Sequence, residues 1–124
     1  SYETGPKIGV NKSYHTFGTL VHESIHFFSH YAFRQAFDVS GYEGATEYLT
    51  RKLLNDLGPR CDVSGDNNMY AREITPLLAI VTSDEIHDLL CQAYFLGNGE
   101  TIATLQNDLA KWHIRYQLDQ IGSP

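Results

Sequence analysis

Apolar residues recur every three or four positions along most of this chain, the spacing that places side chains on one face of an α-helix. The stripes predict helices over about Thr16–Gln35 and Tyr42–Leu57, a third helical region from near Asn67, a fourth helix after Ser83, and a last one that carries Ile102 to Tyr116. We therefore expect a mainly α-helical, compact fold of about five or six helices. A short extended or β segment should precede them at the N-terminus.

Glycine, proline and small polar residues mark where these helices begin and end. Gly58-Pro59 stops the second helix, and Gly97-Asn98-Gly99 ends the fourth, because glycine suits the left-handed end of a helix and proline cannot continue one. Ser83-Asp84-Glu85 is typical of an N-cap followed by an acidic first turn. Pro76 falls inside the third helical region, where it either breaks the helix, with Thr75 capping a new one, or kinks it.

The length and composition are those of one globular domain. The chain has 124 residues, of which 42% are hydrophobic and 19% are charged, so we expect residues 1–124 to form a single domain. It begins at Ser1 without a methionine, and its strongest motif follows only about twenty residues later. We therefore expect it to be the C-terminal part of a longer protein. Its first residues lack the apolar core of a signal peptide.

The charge balance and the cysteines narrow the classes of protein further. The formal net charge is −6, which argues against a nucleic-acid partner, because such domains usually carry a basic surface. No apolar run approaches the ~20 residues of a membrane-spanning helix. Cys61 and Cys91 either form one disulfide or remain two buried thiols. Their spacing contains no CxxC pair, so a zinc knuckle is not expected.

Residues 22–26 read His-Glu-Ser-Ile-His, the HExxH pattern, on the first predicted helix. Four residues correspond to about 400° of helix rotation, so His22 and His26 lie one turn apart on the same face. Their imidazoles can therefore bind one metal ion, and zinc is a common choice for such ligands. Glu23 lies about 100° around the helix, beside the ion rather than on it. There it can accept a proton from a water molecule.

A catalytic zinc site needs a third protein ligand, and the second predicted helix offers Glu43. If this helix packs antiparallel to the first, the Glu43 carboxylate lies opposite the two histidines. Glu47, one turn later on the same face, can accept a hydrogen bond from a ligand histidine and fix its tautomer. Two alternatives stay open. Glu43 could instead form a capping box with Ser40, and Glu47 could be an exposed acid or replace Glu43 as the ligand.

The remaining histidines are weaker candidates. His30 continues the four-residue series but lies ~6 Å beyond His26 along the helix axis, too far to share an ion with His22. We expect it at the surface or beside the site. His15, His87 and His113 are expected to be ordinary, partly exposed histidines.

The HExxH motif followed by Glu43-Gly44-x-x-Glu47-Tyr48 resembles the gluzincin zinc metallopeptidases, in which a glutamate on a second helix is the third metal ligand. Position 42 is Tyr where that family often has Asn. The segment Leu89–Gly97 is similar to the tail of small bacterial domains of this kind. Such domains occur at the C-termini of polymorphic toxins and of type VI secretion effectors of the VgrG or Rhs type. The resemblance implies a zincin-like helical domain.

The resemblance also implies the parts of the site. One zinc ion per chain would be bound by His22, His26 and Glu43, with Glu23 as the general base. Larger gluzincins use a Tyr or His to stabilise the oxyanion; here Tyr70 is the candidate, and His113 is the runner-up. The implied partners are a peptide or protein substrate and a cognate immunity protein. The implied location is outside the producing cell, after secretion or delivery into a target cell or periplasm.

From these observations we expect a zinc metallopeptidase that hydrolyses a peptide bond with metal-activated water and Glu23 as general base. One alternative is a non-catalytic, metal-stabilised helical binding module. A second is a metal-free interaction or immunity protein that binds through its acidic surface.

Overall fold

The computed structural model describes residues 17–57 and 70–122, which fold into six α-helices. These are α1 (Phe17–Phe28), α2 (Tyr31–Ala36), α3 (Val39–Leu57), α4 (Ala71–Ile80), α5 (Asp84–Leu96) and α6 (Gly99–Gly122). The prediction of a compact, mainly α-helical fold is confirmed. The extended N-terminal segment that the sequence predicts lies outside the described residues.

Helix α3 is central to the fold, because it packs against α1 on one side and against α4 on another. Helices α5 and α6 pack against each other, and α6 also contacts α4. All six helices contribute apolar side chains to one core, among them Ile25 from α1, Phe33 from α2, Leu49 from α3, Leu77 from α4, Leu90 from α5 and Leu105 from α6.

Tyr94, fully buried on α5, links the two helices that carry the predicted motifs. Its hydroxyl oxygen lies 2.7 Å from Thr46 Oγ1 on α3 and 3.4 Å from the carbonyl oxygen of Ile25 on α1. Burial raises the pKa of Tyr94, so the hydroxyl stays neutral. Because a buried hydroxyl needs hydrogen-bond partners, this contact favours one spacing between α1 and α3.

The single helix predicted over Thr16–Gln35 is wrong, because the chain breaks between α1 and α2. His30 is extended (φ −78°, ψ 139°), and its Nδ1 accepts the backbone N–H of Ala32 at 3.0 Å, which makes it the N-cap of α2. Its own backbone N–H donates to the carbonyl oxygen of Tyr94 at 2.7 Å. This tertiary hydrogen bond replaces the one that a continuous helix would make. His30 therefore caps a helix; it is half-buried, and among the described residues it contacts none of the predicted ligands His22, His26 and Glu43.

Two further helix starts differ from their predictions. Helix α3 begins at Val39, because Asp38 Oδ1 accepts the backbone N–H of Gly41 at 2.7 Å and so caps the residues predicted as a turn. Helix α4 begins at Ala71 rather than near residue 67. It continues through Pro76, so of the two alternatives predicted there, a break or a kink, the break is excluded.

The ends of α5 confirm their predictions. Ser83 is its N-cap, with Oγ accepting the backbone N–H of Ile86 at 3.3 Å. Gly97 ends it in the left-handed conformation, at φ 68°. A Cβ atom at Gly97 would also overlap the imidazole ring of His30. Glycine is thus required here both by the backbone angle and by the packing of the α2 cap.

Gly44 allows α3 and α4 to approach closely. A Cβ atom at this position would overlap the backbone carbonyl oxygen of Glu73 and lie 2.8 Å from its carbonyl carbon. The missing side chain therefore brings the start of α4 against the part of α3 that carries Glu43 and Glu47.

An open groove of about 580 Å³ lies between the start of α3, α4 and α6. Its lining includes Phe37, Arg72, Glu73, Leu109, Trp112 and Tyr116. Among residues 17–57 and 70–122, no helix has both the length and the apolar character needed to cross a membrane.

Candidate metal centre

Side chains from α1 and α3 meet at one point between the two helices. The Nε2 atoms of His22 and His26 lie 3.1 Å apart, and Glu43 Oε1 lies 3.1 Å from the first and 3.0 Å from the second. Within residues 17–57 and 70–122, this is the group of His and acidic side chains that could hold a metal ion. His26 faces Glu43 while His22 reaches on to Glu47, so the two helices run antiparallel, as expected.

The spacing of these three donor atoms fits a single metal ion. Zinc bonds nitrogen and oxygen ligands at about 2.0–2.1 Å, and tetrahedral angles then separate the donor atoms by about 3.3 Å. The three observed separations, 3.0 to 3.1 Å, lie within a few tenths of an ångström of that value. Two imidazoles and one carboxylate are also a common donor set for catalytic zinc. The residues therefore fit a zinc ion.

Hydrogen bonding places the His22 lone pair toward the other ligands. His22 Nδ1 lies 2.8 Å from Glu47 Oε1, so a neutral His22 carries its proton on Nδ1 and donates it to this carboxylate. Its Nε2 lone pair then faces Glu43 Oε1 at 3.1 Å. Two such acceptors repel each other unless a proton or a metal cation lies between them. Glu47 thus makes the contact that the sequence predicts.

The pKa values of His22 and Glu43 are set more by their contacts with each other and with neighbouring side chains than by burial. Burial lowers the pKa of His22, but hydrogen bonds to Glu43 and Glu47, together with their negative charges, raise it to about 9. Burial raises the pKa of Glu43, but hydrogen bonds from His22 and His26 lower it to about 2. The metal-free cluster therefore holds a proton at neutral pH, and a metal ion must displace it.

Glu23 lies on α1 beside the two histidines and is partly buried. Within residues 17–57 and 70–122 it makes no hydrogen bond or ion pair. The cluster next to it is open on one side, because the side chains of Glu43 and His26 are 25% and 18% exposed, whereas that of His22 is 4% exposed. An uncommitted carboxylate beside an accessible metal site meets the positional requirement for a general base.

Tyr70 packs directly on the cluster. Its ring stacks on the His22 imidazole, with ring centroids 4.5 Å apart and planes 6° from parallel. It is the N-cap of α4 in the left-handed region, at φ 61°, a conformation that costs a non-glycine residue of order 1–3 kcal/mol. Burial, and then the charges of Glu43 and Glu23, raise its pKa, so its hydroxyl remains a proton donor at neutral pH.

Sequence reasoning missed two residues that surround the ligands. Arg51 Nε donates to Glu47 Oε2 at 2.6 Å, and the four-residue spacing of these charges on α3 is the signal that could have revealed it. The Tyr42 ring meets the His26 ring edge-on at 4.8 Å, and its hydroxyl oxygen lies 2.8 Å from Ser29 Oγ. No local pattern indicates this second contact, because it crosses from α3 to the break between α1 and α2.

The other predicted candidates lie elsewhere. His87 contacts Tyr48 and Cys91: its Nδ1 lies 3.3 Å from the Tyr48 hydroxyl, and its Nε2 lies 3.6 Å from the Cys91 thiol. Cys91 is a free thiol. His113 lines the groove beside α6, whereas Tyr70 contacts a ligand. His15 and Cys61 lie outside the described residues, so of the two predicted cysteine alternatives the structure bears only on Cys91, whose thiol is free and half-buried.

Comparison with known protein families, curated proteins and solved structures gives no match. The resemblance to gluzincins and to toxin or effector domains therefore stays a prediction. The functional argument rests on the geometry of the cluster formed by His22, His26 and Glu43 and on the side chains around it.

Proposed function

We propose that this protein is a zinc-dependent hydrolase whose metal ion is held by His22, His26 and Glu43. The observation that carries the proposal is the convergence of three donor atoms 3.0 to 3.1 Å apart beside the uncommitted carboxylate of Glu23. A structural zinc site is closed by four protein ligands, whereas a catalytic site keeps one position open. Three ligands at a partly exposed edge of two helices support the catalytic type.

The residues around the ligands support the proton transfers of hydrolysis. When bound, a zinc ion supplies a Lewis acid that polarises a carbonyl oxygen and lowers the pKa of a water molecule. The Glu23 carboxylate accepts one proton from the attacking water and then donates it to the nitrogen of the leaving amine as the C–N bond breaks. Tyr70, neutral at pH 7, donates a hydrogen bond to the negative charge that develops on the substrate oxygen.

A peptide is the substrate class that we propose, because the sequence resembles zinc metallopeptidases and Glu23 can return a proton to a leaving nitrogen, as amide hydrolysis requires. The groove described above is lined in part by α3 and α4, and α3 also carries Glu43. Ser40 in its lining lies one turn before Glu43 on α3, and Arg72 lies two residues after Tyr70. Its apolar and aromatic lining, formed in part by Phe37 and Trp112, supports binding of an apolar substrate side chain.

The test separates binding of the metal from hydrolysis. We expect Glu23→Ala to bind one zinc ion per chain, measured by inductively coupled plasma mass spectrometry, and to lose hydrolysis of a peptide library followed by mass spectrometry. Glu100→Ala is the matched control, because it removes an exposed carboxylate at the start of α6. This control should keep both properties. Full activity of zinc-loaded Glu23→Ala would contradict the proposal.

The same experiment decides between the alternatives. A non-catalytic, metal-stabilised binding module would bind zinc but show no hydrolysis in the wild type. A metal-free interaction or immunity protein would show neither. The role as a secreted toxin or effector with a cognate immunity protein rests on the sequence resemblance alone, and we retain it as part of the proposal.

A further inference from the structure

Arg51 and Glu47 extend the candidate metal centre by two side chains. Glu47 lies between His22 and Arg51, with Oε1 2.8 Å from His22 Nδ1 and Oε2 2.6 Å from Arg51 Nε. Its side chain is only 11% exposed, while that of Arg51 is 38% exposed. Both carboxylate oxygens are therefore held by charged or polar donors, and the Glu47 side chain can adopt few other orientations.

We propose that Arg51 is a positioning residue that raises the metal affinity of this site through Glu47. The inference rests on the proposed metal site and deepens it. A carboxylate that accepts the second ring proton of a ligand histidine sets the tautomer and orientation of that histidine, and such outer contacts usually change metal affinity about 10–100-fold. Arg51 holds this carboxylate through a short, charge-assisted hydrogen bond.

Charge–charge attraction alone predicts the opposite change in metal affinity when Arg51 is replaced. The direction of the measured change therefore tests the proposal. Glu23, Glu43 and Glu47 place three carboxylates around the site, and removing the positive charge of Arg51 makes its surroundings more negative. Coulomb attraction alone would then bind a divalent cation more tightly. Positioning predicts weaker binding, because Glu47 loses the partner that holds it against His22. The geometry favours positioning, since Arg51 Nε donates directly to the Glu47 carboxylate that holds His22.

The test measures zinc and cobalt affinity by competition with a chromophoric chelator in the otherwise unmodified chain. We expect Arg51→Met to weaken binding about tenfold, at the lower end of the range for such contacts. Arg51→Lys should stay within about threefold of the wild type, because a lysine four residues after a glutamate can still reach it. Lys52→Met is the matched control; it removes a neighbouring positive charge that has no contact with Glu47 and should change the affinity less than twofold.

Two further measurements separate positioning from general stability. The visible absorption of bound cobalt should lose intensity or shift in Arg51→Met but not in Lys52→Met, because it reports the geometry of the ligands. In a Glu47→Gln background, Arg51→Met should have no additional effect, since the proposed action passes through Glu47. Thermal unfolding of the metal-free variants checks that each is folded, and Arg51→Gln serves as a second neutral variant if Arg51→Met is not.

The outcomes distinguish this proposal from the hydrolase proposal. Tighter metal binding by Arg51→Met, an equal effect of Lys52→Met, or an undiminished effect in the Glu47→Gln background would overturn the role of Arg51. If the wild type binds metal but Glu23→Ala keeps full hydrolysis, the hydrolase proposal fails while the role of Arg51 in metal binding is unaffected. A wild type that binds neither metal would overturn both.

Discussion

The helix pair α1–α3 and the helix pair α5–α6 are built by different means. Helices α5 and α6 meet through apolar side chains such as Leu90 and Leu105, and each begins at a local cap, Ser83 for α5 and Asn98 for α6. Helices α1 and α3 are joined by a hydrogen bond between His22 and Glu47, two buried polar residues that lie 25 positions apart in sequence. In the first pair, the helix starts are set by nearby residues and the contact between the helices is apolar. The second pair depends on a hydrogen bond between two particular side chains from different helices.

This difference shows where stability and function lie in the molecule. An apolar helix interface loses little when one side chain is exchanged for another of similar size. A buried polar cluster depends on each member, because a charge left without its partner costs far more than the pair contributes. We therefore expect substitutions of comparable size to act very differently in the two helix pairs.

The largest effect should follow the loss of a ligand from the α1–α3 pair. We expect Glu43→Ala to weaken zinc binding by more than the roughly 10–100-fold typical of outer contacts, because it removes a direct donor atom. Isothermal titration with zinc measures this change. Glu85→Ala makes the same chemical change at an exposed position of α5 and should leave the affinity unaltered. Equal affinities for both variants would show that Glu43 is not a ligand.

Two helical glycines give the next comparison. Gly44→Ala should destabilise the protein by about 1–3 kcal/mol, because its Cβ would overlap the Glu73 carbonyl and push α4 away from α3. It should also weaken zinc binding, since the stack of Tyr70 on His22 depends on this approach. Urea unfolding and zinc titration measure the two effects.

Gly99→Ala is the control from the other helix pair. Apart from its chain neighbours and the backbone of its own helix, no atom of the described residues lies within 4 Å of a Cβ placed at Gly99, so alanine should be neutral or stabilise α6 by up to about 1 kcal/mol. A loss of stability of the same size in both variants would mean that the close approach at Gly44 does not explain its effect.

The smallest effect concerns the pH dependence of the metal-free protein. The pKa of His22 is raised to about 9 from an ordinary value of 6.5, so its stabilising contribution is complete below pH 6.5 and is lost as the pH rises toward and through 9. The pKa of Glu43 is lowered to about 2, so its contribution is lost only as the pH falls below 4.5 toward 2. Both values report the same interaction between the two side chains.

Urea unfolding between pH 6 and 10 tests this prediction. The free energy of unfolding should fall between pH 6.5 and 9 in the metal-free protein, and it should fall less with saturating zinc, because the metal replaces the proton at His22. A flat profile for the metal-free protein over this range would contradict the raised pKa.

The parts of the fold that the sequence predicts are those set by nearby residues, as in the helix pair α5–α6, and the parts that it misses depend on contacts between distant residues. The caps of α5 could be predicted at Ser83 and Gly97, because their signals lie within a few residues of the helix ends. The break at His30 could not, since it depends on a hydrogen bond to the Tyr94 carbonyl from a distant helix. The start of α4 at Ala71 could not be predicted either, because Tyr70 caps it in a left-handed conformation that its residue type does not suggest.

The sequence alone determined that this chain is helical and that His22, Glu23 and His26 share a helical turn, since both follow from spacing along the chain. It also indicated Glu43 and Glu47 as one face of a second helix. Only the tertiary structure decided that Glu43 meets both histidines while Glu47 turns to His22 and Arg51. The reason is that helix period fixes which side chains share a face, whereas the packing of α1 on α3 fixes which faces meet.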